Sequence, residues 1–153
     1  VLAPSRYRDA MADAKRYADL GNAALPQLTL ARLMESGALE RHLRLLRGRH
    51  RRRRDAMVAA VGEYLPGAVV HGAAAGLHLT VVLESPPGAG LTAGDDTVLA
   101  AAALERGVKA HPLSWHRLRP GPPGLVLGYA ARTPGEIGTA VAVLGETVRD
   151  LTR

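Results

Sequence analysis

From Ser5 to Leu20 the chain reads SRYRDAMADAKRYADL, with Tyr7, Met11, Ala14 and Ala18 at spacings of three and four before Gly21-Asn22. That pattern predicts a helix closed by a turn. A second short helix fits Leu25 to Met34. After Ser36-Gly37, the residues Leu39, Leu43, Leu46, Met57, Val61 and Leu65 fall on one stripe, interrupted between Leu46 and Met57, until Pro66-Gly67 ends it. A helix of about 29 residues would span ~43 Å at a rise of 1.5 Å per residue. That is longer than a compact small domain usually needs, and it predicts a connector between two bodies.

Beyond Pro66 the period changes. AVVHG (68–72) and GLHLTVVLE (76–84) are rich in β-branched residues and partly alternating, so both are read as strands. DDTVLAAAALERG (95–107) opens on two aspartates and ends on arginine and glycine, the charge order a helix dipole favours. A short strand is expected at VKAHPL (108–113) and another at GLVLGYA (124–130). In TPGE, Thr133 as N-cap, Pro134 at the first helical position and Glu136 three residues after the cap predict a capping box, followed by an apolar stripe from Ile137 to Leu151. The order is long helix, two strands, helix, two strands, helix. It gives an α+β fold with helices packed on a small, mostly antiparallel sheet. SPPGAGLTAG (85–94) and PGPPG (120–124) are loops, and there is no internal repeat.

With 153 residues, 47% of them apolar, the chain can build one ordinary core. Its formal charge of +6 is concentrated: setting aside the eight arginines between Arg41 and Arg54 leaves twelve basic residues against fourteen acidic ones. The excess is one helix rather than a property of the whole surface. The absence of cysteine excludes disulfides, thiolate metal sites and a cysteine nucleophile, and fits a reducing, cytoplasmic setting. Runs such as TVLAAAAL (97–104) fall far below the roughly 18 apolar residues of a membrane span. The start VLAPSRYRDAM shows no secretory leader and no initiator Met, the expectation for a fragment or a processed product.

Candidate chemistry is sparse. ERHLRLLRGRHRRRRDAM (40–57) supplies the phosphate term a nucleic-acid contact needs, but no helix-turn-helix, zinc-finger or basic-zipper pattern accompanies it. A solvated or interdomain face, with arginine stems lying along apolar surface, explains the same residues. The six histidines form no metal-ligand spacing, and GAGLTAG (88–94) lacks the G-K-[ST] of a phosphate loop. No serine lies in a G-x-S-x-G context. In PLSWHRLRP (112–120), Arg117 and Arg119 follow the only tryptophan between two expected strands. Paired arginines suit a carboxylate or phosphate, although a plain surface loop is the simpler account of them.

Taken in order, VLAP, LPQLTLARLMESGALERHLRLLRGRHRRRRDAM, AAAGLHLTVVL, ERGVKAHPLSW and GLVLGYA resemble the C-terminal part of the aminotransferase-like domain of MocR-type regulators in the GntR superfamily. The most specific pieces are Q-x-x-L-A-x-x-x-x-S-G-x-x-x-R-H-L-R (Gln27 to Arg44) and A-G-L-H (Ala75 to His78). The resemblance implies a bacterial transcription regulator. Its effector domain would have the fold-type I pyridoxal-phosphate class of fold and form a head-to-tail homodimer, with DNA bound through an upstream domain. It implies that residues 1–37 are the tail of the large cofactor-binding domain, and that 38–153 are a linking helix and the small domain. The Schiff-base lysine would lie before Val1, since neither Lys15 nor Lys109 matches its position; this chain would then hold no cofactor and no catalytic residue of its own. Transaminating relatives carry a carboxylate-binding arginine in the strand matching GLVLGYA, where this chain has Val126. Arg117 and Arg119 are then the residues left to hold the carboxylate of an amine or amino-acid effector. Asn22 stands where relatives contact the neighbouring subunit's cofactor phosphate. Two other readings stay open: a piece of a working aminotransferase, and a stand-alone module binding through its basic helix.

Overall fold

The computed structural model describes residues 4–19, 23–74, 76–84 and 91–153. Two compact units divide it, Val1–Leu45 and Leu46–Arg153. The first holds a 3-10 turn at Ser5–Tyr7, helix α1 (Arg8–Asp19), helix α2 (Ala24–Glu35) and the opening turns of α3 (Ala38–Tyr64). α2 ends where Gly37 takes a left-handed φ of 67°, and the Ser36 side chain accepts from the Ala38 N–H at 3.4 Å as α3 begins. No described residue between 4 and 45 is buried.

The second unit carries the core. It continues α3 and adds β1 (Ala68–His71), β2 (His78–Leu83), α4 (Asp95–Glu105), β3 (His111–Pro112), β4 (Gly124–Gly128) and α5 (Pro134–Leu151). The four strands run in the order β1-β2-β4-β3, and every pairing is antiparallel. Because side chains alternate across a sheet, Leu79, Val81 and Leu83 of β2 share one face with Leu125 and Leu127 of β4. Their core partners are Met57, Ala60 and Val61 of α3, Leu99 and Ala103 of α4, and Ile137, Val141 and Leu144 of α5. The expected α+β architecture is found, as is the long helix, whose 27 residues are close to the number read from the stripe.

One expected element shrinks. The strand anticipated over 108–113 has only two paired residues, His111 and Pro112. The reason lies at the end of α4. Gly107, at a left-handed φ of 82°, donates to Leu104 O at 2.9 Å, and Val108 donates to Ala103 O at 2.9 Å. These two bonds are the Schellman closure of the helix, so the Val108 N–H is spent on α4. Pro112 then has no N–H to extend a ladder. Among the described residues, no helix is long and apolar enough to cross a membrane.

Candidate functional site

The segment between β3 and β4 holds both arginines singled out above, and a buried carboxylate fixes it. α4 starts on two aspartates with opposite fates. Asp95 reaches back and accepts from the Thr92 N–H and hydroxyl, bonds that hold its carboxyl below the usual range. Asp96 turns inward, where 1% of its surface remains exposed. It accepts from Ser114 N–H at 2.9 Å, Ser114 Oγ–H at 2.7 Å and, across the sheet edge, Gly124 N–H at 3.3 Å. A buried carboxylate is tolerable only with such donors around it. Asp96 therefore ties both ends of the loop to the first turn of α4. Sequence reasoning reads it only as a helix-dipole residue, and nothing in the pair Asp95-Asp96 signals which one points in.

Between those ties the chain forms a 3-10 turn, Leu113–His116. Leu113 lies over β4 at a point where Gly124 leaves room: a Cβ on Gly124 would stand 2.8 Å from Leu113 Cδ2 and 2.6 Å from Val81 O. The loop that follows borders a cavity of about 360 Å³ lined by Ala93, Gly94, Ser114, Arg117, Arg119 and Gly121 among others. Arg117 and Arg119 thus face one space. Arg117 is half-buried and donates from Nη1 to Pro122 O at 2.6 Å, which steadies its guanidinium over Gly121, while Arg119 is exposed. Trp115 and Leu118 stand out into solvent, and Trp115 meets His111 edge to face with ring centroids 6.4 Å apart.

On the sheet face away from the core, one row crosses all four strands. His71 pairs with Thr80, Thr80 with Val126, and Val126 with His111. His78 leans over Gly128 in the next row. Val126 therefore sits mid-sheet on this face, between a hydroxyl and an imidazole, with no guanidinium of its own.

No family model matches the chain. Solved structures do. The multiple substrate aminotransferase of Thermococcus profundus is 26% identical with a TM-score of 0.77, over 97% of this chain and 36% of that one. The kynurenine aminotransferase of Pyrococcus horikoshii is 25% identical with a TM-score of 0.77, over 98% and 36%. The α-aminoadipate aminotransferase LysN of Thermus thermophilus, crystallised with N-(5'-phosphopyridoxyl)-L-leucine, is 26% identical with a TM-score of 0.75, over 98% and 37%. This domain is aminotransferase-like. The chain spans little more than a third of the length of these enzymes.

Pyridoxal phosphate chemistry belongs to these neighbours, and it needs a lysine for covalent attachment and an acidic or basic partner for the pyridine nitrogen. The described residues of the aminotransferase-like chain do not fit that group. Lys15 is exposed on α1. Lys109 is exposed at the rim of an open groove whose acidic residue, Glu136, is already engaged by the Thr133 N–H and hydroxyl. Asn22 lies outside the described residues. Among the described residues, no three His, Asp or Glu side chains gather as metal ligands.

The arginines of α3 do different things. Arg53 donates to Ala130 O, and Arg54 donates to Ala73 O at 3.3 Å while its Nε and Nη2 hold Asp55 at 2.9 and 2.6 Å. These two side chains break the apolar stripe and instead bind the helix to loops of its own unit. Arg49, Arg51 and Arg52 are exposed.

Proposed function

We propose that this chain is the C-terminal portion of a pyridoxal-phosphate-binding, aminotransferase-like bacterial transcription regulator that senses an amine or amino-acid effector. The parent protein works as a homodimer and binds DNA through a domain upstream of this one. The observation that favours a sensor over a working enzyme is Val126. By the family resemblance it stands at the position where transaminating relatives carry an arginine, and valine offers no fork for an α-carboxylate. Arg119, with Arg117 steadied behind it on the cavity near α4, takes over the effector carboxylate in this reading.

The test uses the full-length polypeptide carrying this chain, loaded with pyridoxal phosphate and offered a panel of amino acids and amines. A regulator shifts its visible cofactor band without accumulating keto acid, and retains promoter DNA in a gel shift. Arg119→Gln weakens the response to carboxylate-bearing effectors by about tenfold and leaves simple amines untouched. A cofactor band that is absent, or indifferent to borohydride, removes the cofactor from the proposal.

A piece of a working aminotransferase is the second reading, favoured by the enzymes named in the structural neighbours. Stoichiometric keto acid with no DNA retention decides for it.

A further inference from the structure

In the part of α3 that belongs to the second unit, Arg47, Arg49, Arg51 and Arg52 are all exposed. At about 3.6 residues per turn, Gly48 stands on the side of the helix opposite the buried Met57. Arg47 and Arg51, at i and i+4, form a column along one flank of Gly48, and Arg49 and Arg52, at i and i+3, form a column along the other. Like charges at those spacings destabilise a helix, and so does a glycine in its interior. No acidic residue occurs between Arg41 and Arg54 to relieve them, and Asp55, the next along, is held by Arg54. Arg49, Arg51 and Arg52 enter no ion pair or hydrogen bond among the described residues. Outside the helix's own backbone, a Cβ on Gly48 would meet nothing nearer than Arg52 Nη1, at 3.9 Å, so the helix is open between the two columns.

A surface so arranged fits a partner that brings a row of anions. We propose that this face of α3 binds the phosphate backbone of duplex DNA, independent of base sequence, with the two arginine columns neutralising phosphates on either side of Gly48. Guanidinium groups free of carboxylate partners are the side chains best suited to phosphate oxygens. A membrane surface is a poorer match, because a helix lying on one needs an apolar face beside its basic one, and Met57, Ala60 and Val61 of α3 are spent on the core. A single strand is bound on aromatic platforms, and no Phe, Trp or Tyr occurs between Arg41 and Glu63. The inference adds a second DNA contact to the reading above. Its test uses the 153-residue chain itself, so its failure leaves DNA binding by an upstream domain untouched.

The experiment titrates two DNA duplexes of unrelated sequence, and one single strand, into the 153-residue protein over a range of salt, read by fluorescence anisotropy. Both duplexes are expected to bind alike, with log K falling against log salt at a slope of about −3 to −4, close to −0.9 for each phosphate neutralised. Arg51→Gln combined with Arg52→Gln is expected to flatten that slope by about two. Lys109→Gln combined with Arg149→Gln removes the same charge from exposed positions elsewhere in this unit and is expected to leave the slope unchanged. Gly48→Glu sets a carboxylate between the columns, at i to the i+4 of Arg52, and is expected to raise the melting temperature while weakening duplex binding about tenfold or more. Equal flattening by both double variants means diffuse attraction, and binding unmoved by Gly48→Glu places the contact elsewhere. Either result overturns the proposal, as does the absence of duplex binding. A single strand bound as tightly as the duplexes, or one duplex strongly preferred over the other, also overturns it.

Discussion

Asp96 concentrates three donors on one buried carboxylate, and the loop carrying Arg117 and Arg119 has no other described tie to α4 of that strength. Asp96→Ala strands the Ser114 and Gly124 donors and is expected to cost about 3 kcal/mol or more, read as a lower urea midpoint at unchanged slope. Asp96→Asn keeps one acceptor oxygen and should cost less than the alanine variant. A midpoint unmoved by Asp96→Ala would mean that the loop is held by Leu113 packing alone. None of this is legible in the sequence, because the partners of Asp96 are 18 and 28 residues away. The same holds for Arg53 and Arg54. Their charge marks them as a break in the apolar stripe, but the carbonyls they serve lie 77 and 19 residues along the chain.

Elements whose rules are local are legible in the sequence. Thr133, Pro134 and Glu136 predict the capping box of α5, and all its bonds are present: Glu136 accepts from the Thr133 N–H and hydroxyl at 2.8 Å, and Thr133 accepts from the Glu136 N–H at 3.4 Å. β3 is shorter than its sequence suggests because hydropathy cannot reveal that the Val108 N–H is already committed to the end of α4. The cap gives a pH prediction. The Thr133 N–H and hydroxyl, with Arg132 adding less, hold the Glu136 carboxyl below its ordinary value of 4.5. A carboxylate lowered on folding contributes stability that is present above the unfolded value and lost as pH falls through the folded one. Glu136→Gln should therefore lower the urea midpoint at neutral pH and make little difference once the pH lies below the folded value. Thr133→Ala, which removes the cap itself, should cost about 1 kcal/mol. A wild-type advantage over Glu136→Gln that persists undiminished in acid would show that packing, and not the ionised cap, distinguishes the two.

Across the molecule, burial is distributed unevenly, and that asymmetry decides what each unit can do alone. Among the described residues every buried side chain lies between Met57 and Thr147, whereas Met11, Leu25, Leu28, Leu30, Leu33 and Met34 of α1 and α2 are exposed. Helices of twelve residues are marginal without an apolar face to pack, so α1 and α2 draw little stability from their own unit. A polypeptide of residues 46–153 retains the whole sheet, α4, α5 and the core-bearing half of α3. It should melt within a few degrees of the 153-residue chain. In the longer chain, amide exchange should be fast throughout α1 and α2 and slow in β2, β4 and α5. The exposed apolar side chains of α1 and α2 also predict self-association of the longer chain, relieved by the truncation, as seen by sedimentation velocity. A longer chain that remains monomeric with protected α1 and α2 amides would mean those helices have found a cover of their own. Self-association that survives the truncation would place the adhesive surface in the second unit, where Trp115 and Leu118 stand exposed.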